Sequence, residues 1–190
     1  MLKFNLIVAA TEKLGIGKNG TFPWPSLKKE MAHFTKLTKG TAQLNSKKNI
    51  VIMGRKTWES IPAKFRPLPN RINFVLSTSK LDSEKAPDVY GFNSWDELYD
   101  KLNDEKFKEE YEQIWIIGGG GIYKHALKSK YFYRLYLTDI KQEFDCDVFF
   151  PTFSNLMEVS DPEVPAGIHE ESGVQYEFKV YQNELFEECA

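Results

Sequence analysis

Four short apolar runs constrain the fold more than any other feature. FNLIVAA at 4–10, NIVIM at 49–53, INFVL at 72–76 and IWII at 114–117 are continuous rather than alternating, and rich in Ile and Val. A strand with one wet face alternates apolar and polar residues; a strand covered on both faces does not. These runs therefore predict the interior strands of a mostly parallel sheet flanked by helices. LYLTDI at 135–140 predicts a further strand. Val174, Tyr176, Phe178 and Val180 alternate with Gln175, Glu177 and Lys179, which predicts a half-exposed antiparallel strand near the sheet edge.

Helical patterns fall between the runs. Residues 26–38 carry apolar side chains at helical spacing, Ser94 and Glu97 form a capping box, and a third helix is predicted from Gly121 through Tyr123 and Leu127. Strands alternating with helices over 190 residues mean one α/β domain.

Glycines stand at the predicted strand ends. Gly54 precedes Arg55, Lys56 and Thr57; STSK follows 72–76; Gly118, Gly119, Gly120 and Gly121 follow 114–117. Ligands of open α/β sheets bind at carboxyl ends of strands, and helix starts with nearby cations hold anions. Three such ends suit an extended phosphorylated ligand such as a dinucleotide. GGGGIY is not G-x-G-x-x-G, because position 123 is Tyr. Taken alone, the glycine run reads first as a tight turn with close helix packing.

One carboxylate is out of place. On the helix at 26–38, Leu27, Met31, Phe34 and Leu37 form an apolar stripe, and Glu30 falls inside it. A buried acid without a partner stays protonated, as suits a proton donor. The alternative is that Glu30 sits at the rim and reaches water.

Other classes fit less well. The net charge of −2 comes from interleaved acids and bases, with no basic stripe for nucleic acid. Two cysteines, Cys146 and Cys189, suit a reducing, cytoplasmic location. FNLIVAA is too short for a signal peptide, and no run is long enough to span a membrane. Ser26-x-x-Lys29 and Ser77-x-x-Lys80 lack the companion motifs of an acylating serine. His33, His125 and His169 are scattered, so no metal site is expected, and DCD at 145–147 reads as a solvated turn. Trp24, between two prolines, reads by itself as a packing residue.

The segments LIVAA, LGIGKNGTFPWP, IVIMGRKTWESIP, RPLPNRINFVLS, WIIGGGGIY, LYLTDI and DVFFP, with YEFKVY near the end, resemble those of dihydrofolate reductases in order and spacing. The chain is most similar to the single-function animal and fungal enzymes. The resemblance implies a central, mostly parallel eight-stranded sheet with an antiparallel C-terminal strand, flanked by helices. It implies one reductase domain over 1–190 with no fused thymidylate synthase. It implies NADPH-dependent reduction of dihydrofolate, with hydride delivered to C6 and a proton to N5, in a cytoplasmic monomer that binds antifolates.

Residue roles follow from the same resemblance. Glu30 would grip the pterin, with Thr138 bonded to it and Trp24 holding an ordered water. Ile7, Val8, Phe22, Met31, Phe34, Ile61 and Ile117 would line the pterin and benzoyl slot, with Ser60, Pro62, Leu68 and Tyr123 around it. Arg71 would clamp the carboxylate of the glutamate tail. The cofactor would meet Ala9, Ile16, Gly17, Gly20, Gly54, Arg55, Lys56, Thr57, Leu76, Ser77, Thr78, the glycines 118–121 and Ile122. Gly118–Gly119 would be a cis peptide, and GIGKNG a loop closing over the nicotinamide. Thr78 and Asn93 stand where many relatives carry arginines for the 2′-phosphate; Arg55 is kept and Lys80 could substitute. Phe22 and Met31 replace residues often Leu and Phe in vertebrate relatives. Two alternatives stay open: a same-fold reductase of another heterocycle, and a non-catalytic folate- or nucleotide-binding module.

Overall fold

The computed structural model describes residues 1–40, 47–79 and 86–187; Lys80 and Cys189 lie outside them. In chain order the elements are β1 (Phe4–Thr11), β2 (Gly15–Gly17), α1 (Lys28–Lys39), β3 (Lys48–Gly54), α2 (Arg55–Ser60), β4 (Arg71–Leu76), β5 (Val89–Phe92) and α3 (Trp95–Asn103). Then follow β6 (Tyr111–Gly118), α4 (Gly120–Lys128), β7 (Phe132–Ile140), β8 (Val148–Phe149), β9 (Leu156–Glu158), β10 (Ile168–Glu171) and β11 (Val174–Asn183). The main sheet runs β10-β11-β7-β1-β6-β3-β4-β5, with the short β9 added on β11.

The continuous apolar runs are the parallel centre: β7, β1, β6, β3, β4 and β5 pair in parallel. β11 joins β7 antiparallel and buries Val174, Tyr176, Phe178 and Val180, the alternating set read from the sequence. α3 and α4 cover one face through Leu98, Leu102, Tyr123 and Ala126. α1 and α2 cover the other through Leu37 and Trp58. Burying such side chains supplies ~25 cal/mol per Å² of apolar surface removed from water.

The pleat of β1 separates two side chains that the sequence reading placed in one slot. Ile7 faces the α1 side with Leu37, whereas Val8 faces the α4 side with Tyr123. Successive residues of a strand point to opposite faces.

The capping box is real but displaced. Ser94 Oγ accepts the Glu97 N–H at 3.2 Å, and the Glu97 carboxylate returns to the N–H of Asn93 rather than Ser94, at 2.8 Å. α1 begins at Lys28, not Ser26, and its N-cap Leu27 has no side chain able to cap it. The short strands β2, β5, β8, β9 and β10 were not separable in the sequence. Two to four residues hold too little periodicity, and β2 and β8 pair only because the fold brings distant segments together. Among the described residues no helix is long and apolar enough to cross a membrane.

Candidate active site

The sheet register brings the acid to its partner. Ala9 of β1 lies opposite Thr138 of β7, and Thr138 lies opposite Phe178 of β11. Across this stretch lies α1, where Glu30 is only 8% exposed. Thr138 donates its hydroxyl to Glu30 Oε1 at 3.0 Å. Burial pushes the Glu30 pKa up to about 7, with the Thr138 bond working downward and the charge of Glu171 upward. A group half protonated at neutral pH is poised for acid–base work.

The linkage has a definite sign. The folded protein holds this proton more tightly than the unfolded chain does. Stability is therefore full below the ordinary value near 4.5 and is lost as pH rises through about 7. In the ligand-free protein, urea unfolding should show a loss on the order of 2–3 kcal/mol between pH 4.5 and 8 from this group. That loss should be absent in Glu30→Gln. Matching pH slopes in the two proteins would refute it.

The apolar wall differs from the predicted stripe. Leu27 and Leu37 are buried and Phe34 is half-buried, but Met31 is 42% exposed and His33 is buried instead. His33 packs on the Phe178 ring at 3.9 Å between centroids. Phe34, Ile61, Leu68 and Ile117 pack in one cluster with Ile7. Trp24 is buried with Leu27, and Phe22, 58% exposed, stacks on it at 5.7 Å. The Tyr123 side chain is occupied: its hydroxyl donates to the Ile7 carbonyl at 2.7 Å. Ser60 Oγ turns back to the Thr57 carbonyl at 2.7 Å, and Pro62 leads into the turn at 63–65.

Arg71 opens β4 and is 3% exposed. Its Nη1 donates to Thr38 Oγ1 at 2.8 Å and its Nε to the Pro69 carbonyl at 3.1 Å. Burial lowers its pKa to about 10, so it is still cationic at neutral pH. Asn73 shapes the preceding loop: its amide donates to the carbonyls of Leu68 and Arg71, and its oxygen accepts the Leu68 N–H.

The glycines lie where the strand ends meet. Met53 is opposite Gly118 and Gly54 opposite Leu76, so β6, β3 and β4 end side by side. The Gly118–Gly119 peptide is cis. Gly118 has φ of 110°, and a Cβ there would come within 2.9 Å of the Tyr123 ring. A Cβ on Gly54 would meet Ile122 at 3.1 Å and one on Gly119 would meet Thr57 Oγ1 at 3.4 Å, whereas Gly121 faces open space. α2 starts after Gly54 and α4 after Gly119, both without a side-chain cap. Lys56 is exposed near one start, and Arg55 pairs with Glu59 at 2.9 Å. Ser77 is buried, its Oγ bonded to the Ser79 carbonyl at 2.6 Å, and Thr78 is exposed beside it. Close-packed glycines, backbone N–H groups at two helix starts and cations fit a diphosphate-bearing cofactor.

The loop after β2 turns at Asn19-Gly20, both with positive φ, and Lys18 and Thr21 exchange backbone bonds across it. DCD is more than a solvated turn. Asp147 accepts the Asn19 N–H at 2.9 Å and donates its own N–H to Gly17, and Asp145 pairs with Lys18 at 3.0 Å. Ile16 packs on the core of the α4 side. A separate cavity of about 890 Å³, between the end of α4 and residues 151–155, contains none of the residues named for the site.

The sequence matches the dihydrofolate reductase family model over residues 3–183. The chain belongs to the dihydrofolate reductase family. It is 42% identical to the Drosophila melanogaster dihydrofolate reductase over 184 residues, spanning 96% of this chain and 98% of that one. It is 42% identical to the Gallus gallus enzyme over 186 residues, 95% and 96% of the two chains. The Schistosoma mansoni dihydrofolate reductase structure superposes with a TM-score of 0.84 at 39% identity, covering 96% of this chain and 98% of that one. The chain is therefore an oxidoreductase of dihydrofolate reduction, and the family uses a reduced nicotinamide cofactor.

Several residues that hold the candidate site in place escaped the sequence reading. Glu171 meets the start of α1 with Tyr176 bonded to it, and Thr38 and Asn73 hold Arg71 and its loop. Each is a single polar residue without a motif around it, and Glu171 and Thr38 lie far in sequence from what they hold.

Proposed function

We propose that this protein reduces 7,8-dihydrofolate to tetrahydrofolate with NADPH, as a single-domain cytoplasmic monomer acting on small molecules. The observation that carries the site assignment is Glu30, a buried carboxyl bonded to Thr138 and half protonated near pH 7 beside an apolar wall. When bound, reduced nicotinamide would supply the hydride for the pterin C6. Glu30 binds the pterin amino group and ring nitrogen and promotes protonation of N5 through a water held near Trp24. Thr138 orients Glu30. Ile7, Phe34, Ile61 and Ile117 form the apolar walls; Met31 on α1 and Phe22 stacked on Trp24 are exposed. Arg71, held by Thr38 and Pro69, takes the α-carboxylate of the tail. That basic anchor disfavours a heterocycle without an acidic tail. The glycines at 118–121, with Gly54, Arg55, Lys56 and Thr57, hold the diphosphate. Ala9, Ile16, Gly17 and Gly20 border the nicotinamide, and Leu76, Ser77 and Thr78 the adenosine end. The free thiol of Cys146 suits a reducing compartment.

The test is loss of reduced-nicotinamide absorbance on mixing with dihydrofolate. It should be rapid and require dihydrofolate; folded, cofactor-binding protein that does not turn over would refute the reading. The same assay run with NADH tests Thr78 and Asn93. Without arginines there, preference for NADPH over NADH in kcat/KM should be narrower than in a relative carrying both, by roughly tenfold per missing charge-assisted contact. An equally wide preference would sink this point.

A further inference from the structure

The start of α1 is held by a side chain from the far end of the chain. Leu27 offers no capping group. The first-turn donors go instead to Glu171 of β10, some 141 residues on. The N–H of Lys29 reaches Glu171 Oε1 at 2.9 Å and Oε2 at 3.0 Å, and the N–H of Glu30 itself reaches Oε2 at 3.2 Å. Tyr176 of β11 donates its hydroxyl to the same Oε2 at 2.6 Å. The β10–β11 hairpin turns at Ser172 and Gly173, both with positive φ, and Ser172 donates to the Ser26 carbonyl at 3.3 Å. The hairpin therefore grips the helix start through two consecutive residues.

We propose that Glu171 is a positioning residue for dihydrofolate reduction: its carboxylate binds the first turn of α1 and so places Glu30. That carboxylate stands 3.2 Å from the Glu30 N–H, and its charge opposes ionisation of the Glu30 side chain. This rests on the assignment of Glu30 as the acid of the site. A carboxylate accepting N–H groups at a helix start is a charge-assisted arrangement favoured by the helix dipole. Burial works against ionisation of Glu171, but bonds from Tyr176, the Lys29 N–H and the Glu30 N–H, with the Lys29 charge, hold its pKa below the ordinary value. It is therefore anionic throughout the range in which Glu30 titrates. Facing Glu30 from the surrounding elements are Glu171 on β10, Tyr176 on β11 and Tyr123 on α4, with uncharged Thr138 on β7. Burial raises the pKa of both phenols, Glu30 adding to it, so both stay neutral. Lys28 and Lys29 on α1 itself are exposed. Glu171 is thus the anion in that set.

The test is the pH dependence of kcat/KM for dihydrofolate at saturating NADPH. Wild type should lose activity through a midpoint near 7, and Glu30→Gln should lack that midpoint. If wild type has no such midpoint, or Glu30→Gln keeps it, the assignment of Glu30 fails and this proposal with it. Given a Glu30-dependent midpoint, Glu171→Gln should shift it down by roughly half a pH unit, the effect of one partly screened charge. An unshifted midpoint in folded Glu171→Gln, with only its melting temperature lowered, makes Glu171 merely structural and overturns the proposal. If Glu171→Gln does not fold, Glu171→Asp decides. It keeps the charge but shortens the reach, so the midpoint should hold while kcat falls roughly tenfold through displacement of Glu30. Wild-type kcat in Glu171→Asp, or a lowered midpoint there, overturns the proposal.

Discussion

Glu30→Gln should lower kcat for dihydrofolate at pH 7 by about 10²–10⁴-fold, the usual contribution of a positioned acid–base group. That corresponds to about 3–5 kcal/mol of transition-state stabilisation. Glutamine keeps the shape and can still accept from Thr138, whose bond to Glu30 is 3.0 Å. It cannot exchange a proton. The wild-type rate should fall as pH rises through about 7, because the protonated form of Glu30 is lost there. The variant should be flat across that range and approach wild type more closely at high pH. Affinity for NADPH, read by fluorescence quenching, should change less than about twofold, since the residues proposed for the diphosphate lie at the ends of β3, β4 and β6. Equal losses of turnover and cofactor affinity would give Glu30 a structural role and sink the assignment.

Arg71→Lys should raise the KM for dihydrofolate by about 10–100-fold with kcat little changed. Lysine keeps the charge but loses the planar fork, and a charge-assisted bond contributes about 1.5–3 kcal/mol. The expected pattern of raised KM and constant kcat is that of lost uniform binding. Arg71 also bonds Thr38 and Pro69 inside the protein, so a stability loss accompanies the change. Dihydropteroate, which lacks the glutamate, separates the two. Its KM should be nearly equal in wild type and variant. A penalty of the same size on dihydropteroate would show that Arg71 supports the fold and does not bind the tail.

The reaction class was legible only through the resemblance of several motifs, in order, to the dihydrofolate reductases; local signals reached the fold class and the strand ends. Continuous apolar runs marked the interior strands and glycines marked their ends, while the acid in the apolar stripe stayed open between a site and a solvated rim. Individual positions were less secure where geometry decides. Ile7 and Val8 are neighbours in sequence, yet the pleat sends them to opposite faces. Met31 has the right helical phase to be buried but lies 42% exposed, while His33 fills a space against Phe178. DCD looked like a solvated turn until the fold carried it to the loop after β2.

By itself the sequence determined the local preferences: which runs are strands, where glycine is needed, which acid lies on an apolar face, and which family the order of motifs resembles. The first three depend on residues within a dozen positions of one another, whose backbone and burial preferences act locally; the last depends on the order of motifs along the chain. Only the tertiary structure decided what meets Glu30. Thr138 lies 108 residues away and Glu171 141. No local propensity encodes those meetings. They arise because parallel pairing sets β7 beside β1 and the C-terminal hairpin then folds back onto the start of α1. The chemistry of Glu30 was therefore written as a residue type, whereas its protonation and its place come from packing between distant segments.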